Sequence, residues 1–166
     1  MKVEGLVPVR VWGLIFDPNT HHTIVVLLDP EGERILPIWI GAVEGNAIAL
    51  GIEKAKVPRP MTHDLLCNIL STLKVEISRI VITELKEEIF YALIYLRING
   101  EDIALDSRPS DAIALAVRTG APIYCTEEVL KAGEDLKTLR ERQASGKELD
   151  RLLKELDPEI FGKYKM

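Results

Sequence analysis

The hexapeptide Asp106-Ser107-Arg108-Pro109-Ser110-Asp111 gathers two carboxylates, two hydroxyls and a guanidinium within six positions. Pro109 suits the first turn of a helix, where its missing N–H would have no partner anyway. Asp111 then falls in that same turn, where a carboxylate meets exposed N–H groups and the positive end of the dipole. Arg108 has a planar fork that can clamp a phosphate or pair with Asp106 or Asp111. A second gathering is Arg59-Pro60-Met61-Thr62-His63-Asp64. There Thr62 reads as an N-cap, with His63 and Asp64 in the first helical turn. Because an imidazole in general titrates near neutrality, His63 suits general acid–base work or metal ligation, or else belongs to a capping cluster. Glu44 adds a carboxylate from a third helical stretch. If Asp64, Asp106, Asp111 and Glu44 converge, they are enough for a divalent cation, Mg2+ or Mn2+.

The surrounding elements must bring these stretches together. Ile113, Leu115, Ala116 and Val117 give the segment after Asp111 an apolar face, and Gly120 is placed to end the helix in the left-handed region. Ile123 and Tyr124 begin a short strand. Upstream, Val3 to Phe16 reads as a long or broken strand and Asp17-Pro18-Asn19-Thr20 as a turn, with the solvated His21 and His22 beside it. Thr23–Leu28 is a buried strand, Asp29-Pro30-Glu31-Gly32 a hairpin turn, and Arg34–Ile40 the returning strand. Gly41 to Lys56 has helical period. Gly45 and Gly51 inside it each cost about 1 kcal/mol relative to alanine, which implies close packing. Val57-Pro58-Arg59-Pro60 breaks that helix, and the next should bury Leu65, Leu66, Ile69, Leu70 and Leu73. Val75–Leu85 and Ile89–Ile98 are strands joined by Lys86-Glu87-Glu88, and Asn99-Gly100 is a hairpin turn. Thr126 can cap a short helix from Glu127 to Ala132.

The chain repeats itself. AIAL occurs at Ala47–Leu50 and at Ala112–Leu115. Moving Gly32-Glu33 onto Gly100-Glu101 is a shift of 68 residues, and the same shift carries Thr23–Leu28 onto Tyr91–Leu96. Both halves read strand, strand, strand, helix, which implies duplication. The fold class is therefore α+β: two β-β-β-α units (about residues 7–56 and 75–124) with a mainly antiparallel sheet. These form one domain over residues 1–132. From residue 133 the composition turns highly charged, and residues 133–166 read as a helical tail, either solvated or docked.

The bulk properties set limits. The chain has 166 residues, 47% hydrophobic and 28% charged, as expected of one globular core. The net charge of −5 opposes nucleic-acid binding by bulk electrostatics, so any such binding needs a local basic patch. Cys67 and Cys125 have no metal-type spacing and read as reduced thiols of a cytoplasmic protein. Met1-Lys2-Val3-Glu4 opens no signal peptide, and no apolar run is long enough to span a membrane. No Walker loop, G-x-S-x-G, H-E-x-x-H or C-x-x-C is present. The surplus of apolar residues in strands and helices predicts a homodimer.

LPIWIGAVEGNAIAL (36–50), RPMTHDLL (59–66) and DSRPSDAIALAVRTGAPIY (106–124) together resemble the bifunctional nuclease family, formerly a domain of unknown function. The resemblance covers Val3 to Val129. It implies an α+β domain, often dimeric, with hydrolysis of phosphodiester bonds in RNA and DNA as in plant members. The polar residues inside these motifs are the candidate site. Glu44, His63, Asp64 and Asp111 would act in catalysis, with Asp111, Asp64 and Glu44 as metal ligands. Arg59, Arg108 and Ser110 would hold phosphate. The competing reading is a non-catalytic anion-binding or dimeric scaffold module.

Overall fold

The computed structural model describes residues 5–135 except 30, 32 and 33. The tail from residue 136 and the tip of the first hairpin, with Gly32-Glu33, lie outside the described residues. Among the described residues eight strands form one sheet: β1 (Leu6–Phe16), β2 (Thr23–Leu28), β3 (Arg34–Ile40), β4 (Glu76–Lys86), β5 (Ile89–Ile98), β6 (Glu101–Ser107), β7 (Ile123–Thr126) and β8 (Glu134–Asp135). Four helices accompany them: α1 (Ala42–Ile52), α2 (Thr62–Thr72), α3 (Pro109–Thr119) and α4 (Glu127–Lys131). The strand order is β6-β5-β4-β7-β1-β2-β3-β8.

This order carries the duplication. Each unit is an antiparallel meander followed by a helix: β1-β2-β3-α1 and β4-β5-β6-α3. β7 lies between them, antiparallel to β1 and parallel to β4, so β1 and β4 run opposite ways. Two like units facing each other across a central strand are what an internal pseudo-two-fold produces. The parallel β4–β7 contact makes the sheet mixed. α2 lies between the repeats and has no counterpart in the other unit.

Strand chemistry explains the core. Every residue of β2 is buried. Its alternating side chains divide by face. Val25 and Leu27 join the main cluster with Leu36, Ile48, Ile80, Ile82 and Ile113, whereas Ile24, Val26 and Leu28 join a second cluster with Ile15 and Ile35. α1 and α3 pack on one another and on the sheet. Two glycines of α1 allow this approach. A Cβ on Gly45 would stand 2.7 Å from Thr23 Cβ, and one on Gly51 would stand 2.6 Å from Val117 Cγ2. Ala112, Ala114 and Ala116 of α3 are buried. Gly120 ends α3 at φ 77°, and Thr126 caps α4 by accepting from Val129 N–H at 3.2 Å. The β5–β6 turn has positive φ at both Asn99 and Gly100, the conformation that the Asn-Gly pair predicts.

Several expectations need correction. α1 stops at Ile52, four residues early, and the chain turns through Lys54 at φ 49°. The N-cap of α2 is Met61 rather than Thr62, and Asp64 accepts from Met61 N–H at 2.9 Å. The expected buried stripe of α2 is not buried: Leu65, Leu66, Ile69 and Leu73 are all exposed, and only Cys67 and Leu70 reach the core. Helical period identified the amphipathic face but could not say that the sheet is already covered by α1 and α3. Both thiols are free, and burial pushes Cys125 up to about 12. Among the described residues no helix is long and apolar enough to cross a membrane.

Candidate active site

The β6–α3 junction turns the chain so that Arg108 is the N-cap of α3, Pro109 its first residue and Asp111 part of its first turn. α1 lies alongside and brings Glu44, also in a first turn. α2 brings His63 from its own first turn. The starts of three helices thus meet, and their side chains form one continuous chain of contacts. Glu44 Oε1 accepts from Arg108 Nη1 at 3.2 Å. Arg108 Nε donates to Asp111 Oδ2 at 3.0 Å. Asp111 Oδ1 lies 2.9 Å from His63 Nε2.

The electrostatics follow from the contacts. Burial opposes ionisation of Asp111, but the hydrogen bonds from Arg108 and His63 outweigh it and hold the carboxyl below the usual carboxylate range. Asp111 is therefore an acceptor at neutral pH. His63 Nε2 must then carry the hydrogen, and in the neutral imidazole Nδ1 is the nitrogen with a free lone pair. The Asp111 and Glu44 contacts raise Arg108 above the ordinary guanidinium value. Its side chain is 64% exposed, and among the described residues its Nη2 makes no hydrogen bond. The arrangement therefore offers an oriented imidazole base next to an exposed, fixed cation.

Asp64 points elsewhere. Its Oδ1 accepts from Arg118 Nε at 2.8 Å and its Oδ2 from Met61 N–H at 2.9 Å. The Arg118 contact, seconded by the Met61 bond, lowers its pKa. Arg59 lies exposed in the loop before α2, with no hydrogen bond or ion pair among the described residues. Ser110 is buried at the start of α3 and takes no part in the chain of ion pairs. Asp106 stays exposed on β6. Arg108 pairs with Asp111, not with Asp106.

A divalent cation needs several oxygen or nitrogen donors in one place. Among the described residues no three His, Cys, Asp or Glu side chains come together to hold one. Both oxygens of Asp111 and both of Asp64 already accept hydrogen bonds, and Glu44 is tied to Arg108. As arranged, Asp111, Asp64 and Glu44 do not fit Mg2+ or Mn2+, and no step below runs through a metal. An apolar groove of about 730 Å3 between β1, α1 and the start of β7 shares no residue with the ion-pair chain.

Sequence reasoning missed Arg118. Its side chain is buried, at 8% exposure. The available signal was spacing: Arg118 lies seven residues after Asp111, on the same face of a 3.6-residue helix.

Comparison with known proteins adds a family. The profile of the bifunctional nuclease domain matches residues 25–136, more than half of the chain. An uncharacterized protein of Mycobacterium tuberculosis is 41% identical over 123 residues, covering 74% of this chain and 73% of its own length. "Bifunctional nuclease 1" of Oryza sativa subsp. japonica is 27% identical over 116 residues, 68% of this chain but 35% of the rice protein. "Bifunctional nuclease 2" of Arabidopsis thaliana is 26% identical over 106 residues, 62% of this chain and 32% of its own. The chain thus spans about a third of these plant relatives' length.

Proposed function

The chain belongs to the bifunctional nuclease domain family, and from that premise we propose that it hydrolyses phosphodiester bonds of RNA and DNA at the Glu44–Arg108–Asp111–His63 chain. The observation that carries this reading is the His63–Asp111 contact at 2.9 Å beside the exposed guanidinium of Arg108. Asp111 orients the imidazole and stabilises the cation that forms on it. His63 Nδ1 takes a proton from water as the water oxygen attacks phosphorus. The P–O bond to the leaving sugar oxygen breaks, and that oxygen takes a proton from the imidazolium or from solvent. Arg108 faces the non-bridging oxygens with its free Nη2, and Glu44 fixes the guanidinium plane from the other side. Arg59, exposed just before α2, is available to a neighbouring phosphate. A net charge of −5 requires a local basic patch, and Arg59 and Arg108 are the exposed guanidinium groups of these motifs.

A second reading has its own observation. Every carboxylate of the network is already paired within the protein, which is what an interhelical lock or a non-catalytic anion site would look like. The deciding experiment is cleavage of labelled single-stranded RNA and DNA by wild type and Arg108→Lys, with EDTA and with added Mg2+ or Mn2+. Lysine preserves the charge but cannot bridge Asp111 and Glu44 while presenting a further fixed donor. A nuclease centred here loses rate in Arg108→Lys and retains activity in EDTA. A wild type with no cleavage under any condition leaves the lock as the function of these residues.

We also infer a homodimer, formed through α2. Leu65, Leu66, Ile69 and Leu73 lie exposed along this one helix. A second copy of the chain is the proposed occupant, because a single aliphatic stripe matches itself across a two-fold axis. Light scattering that gives only monomer at micromolar concentration would remove this inference.

A further inference from the structure

We propose that Arg118 is a positioning residue: it fixes the first turn of α2 on α3 and thereby holds His63 against Asp111. The proposal rests on the reading of His63 and Asp111 as the reacting pair. α2 has no fully buried residue. It reaches the core only through Cys67 and Leu70, which are half-buried. Its start follows a loop with Pro58 and Pro60, and its first residues bury little apolar surface. Two side-chain contacts tie that start to α3: His63 to Asp111 and Asp64 to Arg118.

Arg118 is built to be the rigid member. Its Nε donates to Asp64 Oδ1 at 2.8 Å, and its Nη1 donates to the Ala114 carbonyl one turn back at 2.8 Å. The second bond anchors the guanidinium to its own helix, so the first has a fixed direction. α1 leaves space for it: a Cβ on Gly51 would stand 2.8 Å from Arg118 Nη1. Arg118 therefore lies where α1, α2 and α3 meet. On the α2 side, the carboxylate that Arg118 grips also caps the helix through Met61 N–H at 2.9 Å. Asp64 and His63 are adjacent, so fixing Asp64 fixes the backbone that carries the imidazole. Arg118 itself contacts neither His63 nor Asp111 and acts through Asp64. Lysine cannot replace it, because one ammonium cannot reach the carboxylate and the Ala114 carbonyl with the same fixed fork.

The test follows the His63 imidazole by 1H–15N NMR in wild type, Arg118→Met, Arg118→Lys and Asp64→Asn, with cleavage kinetics on the same samples. NMR needs no turnover, so it reports on Arg118 even if no cleavage is found. In Arg118→Met the Nε2–H signal should move toward that of a free imidazole and exchange faster with water. kcat should fall roughly 10–100-fold, as expected for a misplaced reacting group, while KM stays unchanged because Arg118 touches no substrate. Arg118→Lys should restore little. Asp64→Asn breaks the same pair from its half-exposed end and decides the matter if Arg118→Met does not fold. An unchanged His63 signal in folded Arg118→Met or in Asp64→Asn overturns the proposal. A wild type that cleaves nothing overturns the nuclease reading instead, and the imidazole signal still decides on Arg118.

Discussion

Asp111→Asn separates a structural from a chemical role for the network. The substitution keeps the shape of the side chain and removes its charge. Two contacts weaken: Arg108 Nε to Oδ2 at 3.0 Å and His63 Nε2 to Oδ1 at 2.9 Å. The Arg108 side chain is 64% exposed, so solvent screens that pair and its loss costs about 0.2–1 kcal/mol. The His63 contact is more enclosed, with side chains 13% and 34% exposed, and losing its charge assistance costs about 1 kcal/mol. The sum is roughly 1–2 kcal/mol, a melting shift of about 2–8 °C. From an ordinary stability of at least about 5 kcal/mol, this still leaves about 99% of the protein folded at 25 °C. Loss of the oriented base has a different size, about 100- to 10,000-fold in rate. Unfolding therefore cannot account for the predicted loss of activity. The assay is kcat on a labelled oligonucleotide beside a thermal melt of the same preparation. A small melting shift with near wild-type kcat would refute the role of Asp111 in the chemistry.

Acid provides a further test of the network. Asp64 and Asp111 both ionise below the usual carboxylate range when folded, so the stability they supply is complete above about pH 4 and lost as pH falls through their lowered values. Denaturant midpoints between pH 2 and 6 should fall less steeply in the Asp64→Asn, Asp111→Asn double variant than in wild type; equal slopes would contradict the assignment. Gly45→Ala gains helix propensity but drives a Cβ into the buried, β-branched Thr23, for a net loss of about 1–2 kcal/mol. Chemical denaturation should show that loss. Ile69→Glu on the exposed face of α2 should convert a dimer to monomer, read by light scattering, with little change in secondary structure by circular dichroism.

Local signals in the sequence were strong where one residue type allows few conformations. Asn99-Gly100, Pro109 and Gly120 each mark a turn, a helix start or a helix end, and the structure places each as its chemistry requires. The repeated AIAL segments predicted two like units, and the sheet carries both meanders in the same order. Gly45 and Gly51 announced close contacts, but their partners, Thr23 and Val117, come from elsewhere in the chain. The exposed face of α2 was not legible, because helical period shows which side chains cluster but not whether a surface remains to receive them. In the site, the two polar gatherings were visible and their meeting was not. His63 and Asp111 are 48 positions apart, and only packing of α2 on α3 joins them. Ser110 looked like a phosphate ligand in sequence, yet the first turn of α3 directs it inward. The pairing of the carboxylates with arginine cannot be read from spacing.

Cleavage of single-stranded RNA and of single-stranded DNA by wild type and His63→Gln, in the presence of EDTA, decides whether His63 is the base. Glutamine can still donate to Asp111 but cannot take a proton at neutral pH. Wild type should cleave both substrates, and His63→Gln should lose about 100-fold or more in kcat on both, with its fold intact by circular dichroism. Equal cleavage by the two proteins, or cleavage by wild type only after a divalent metal is restored, would contradict that assignment.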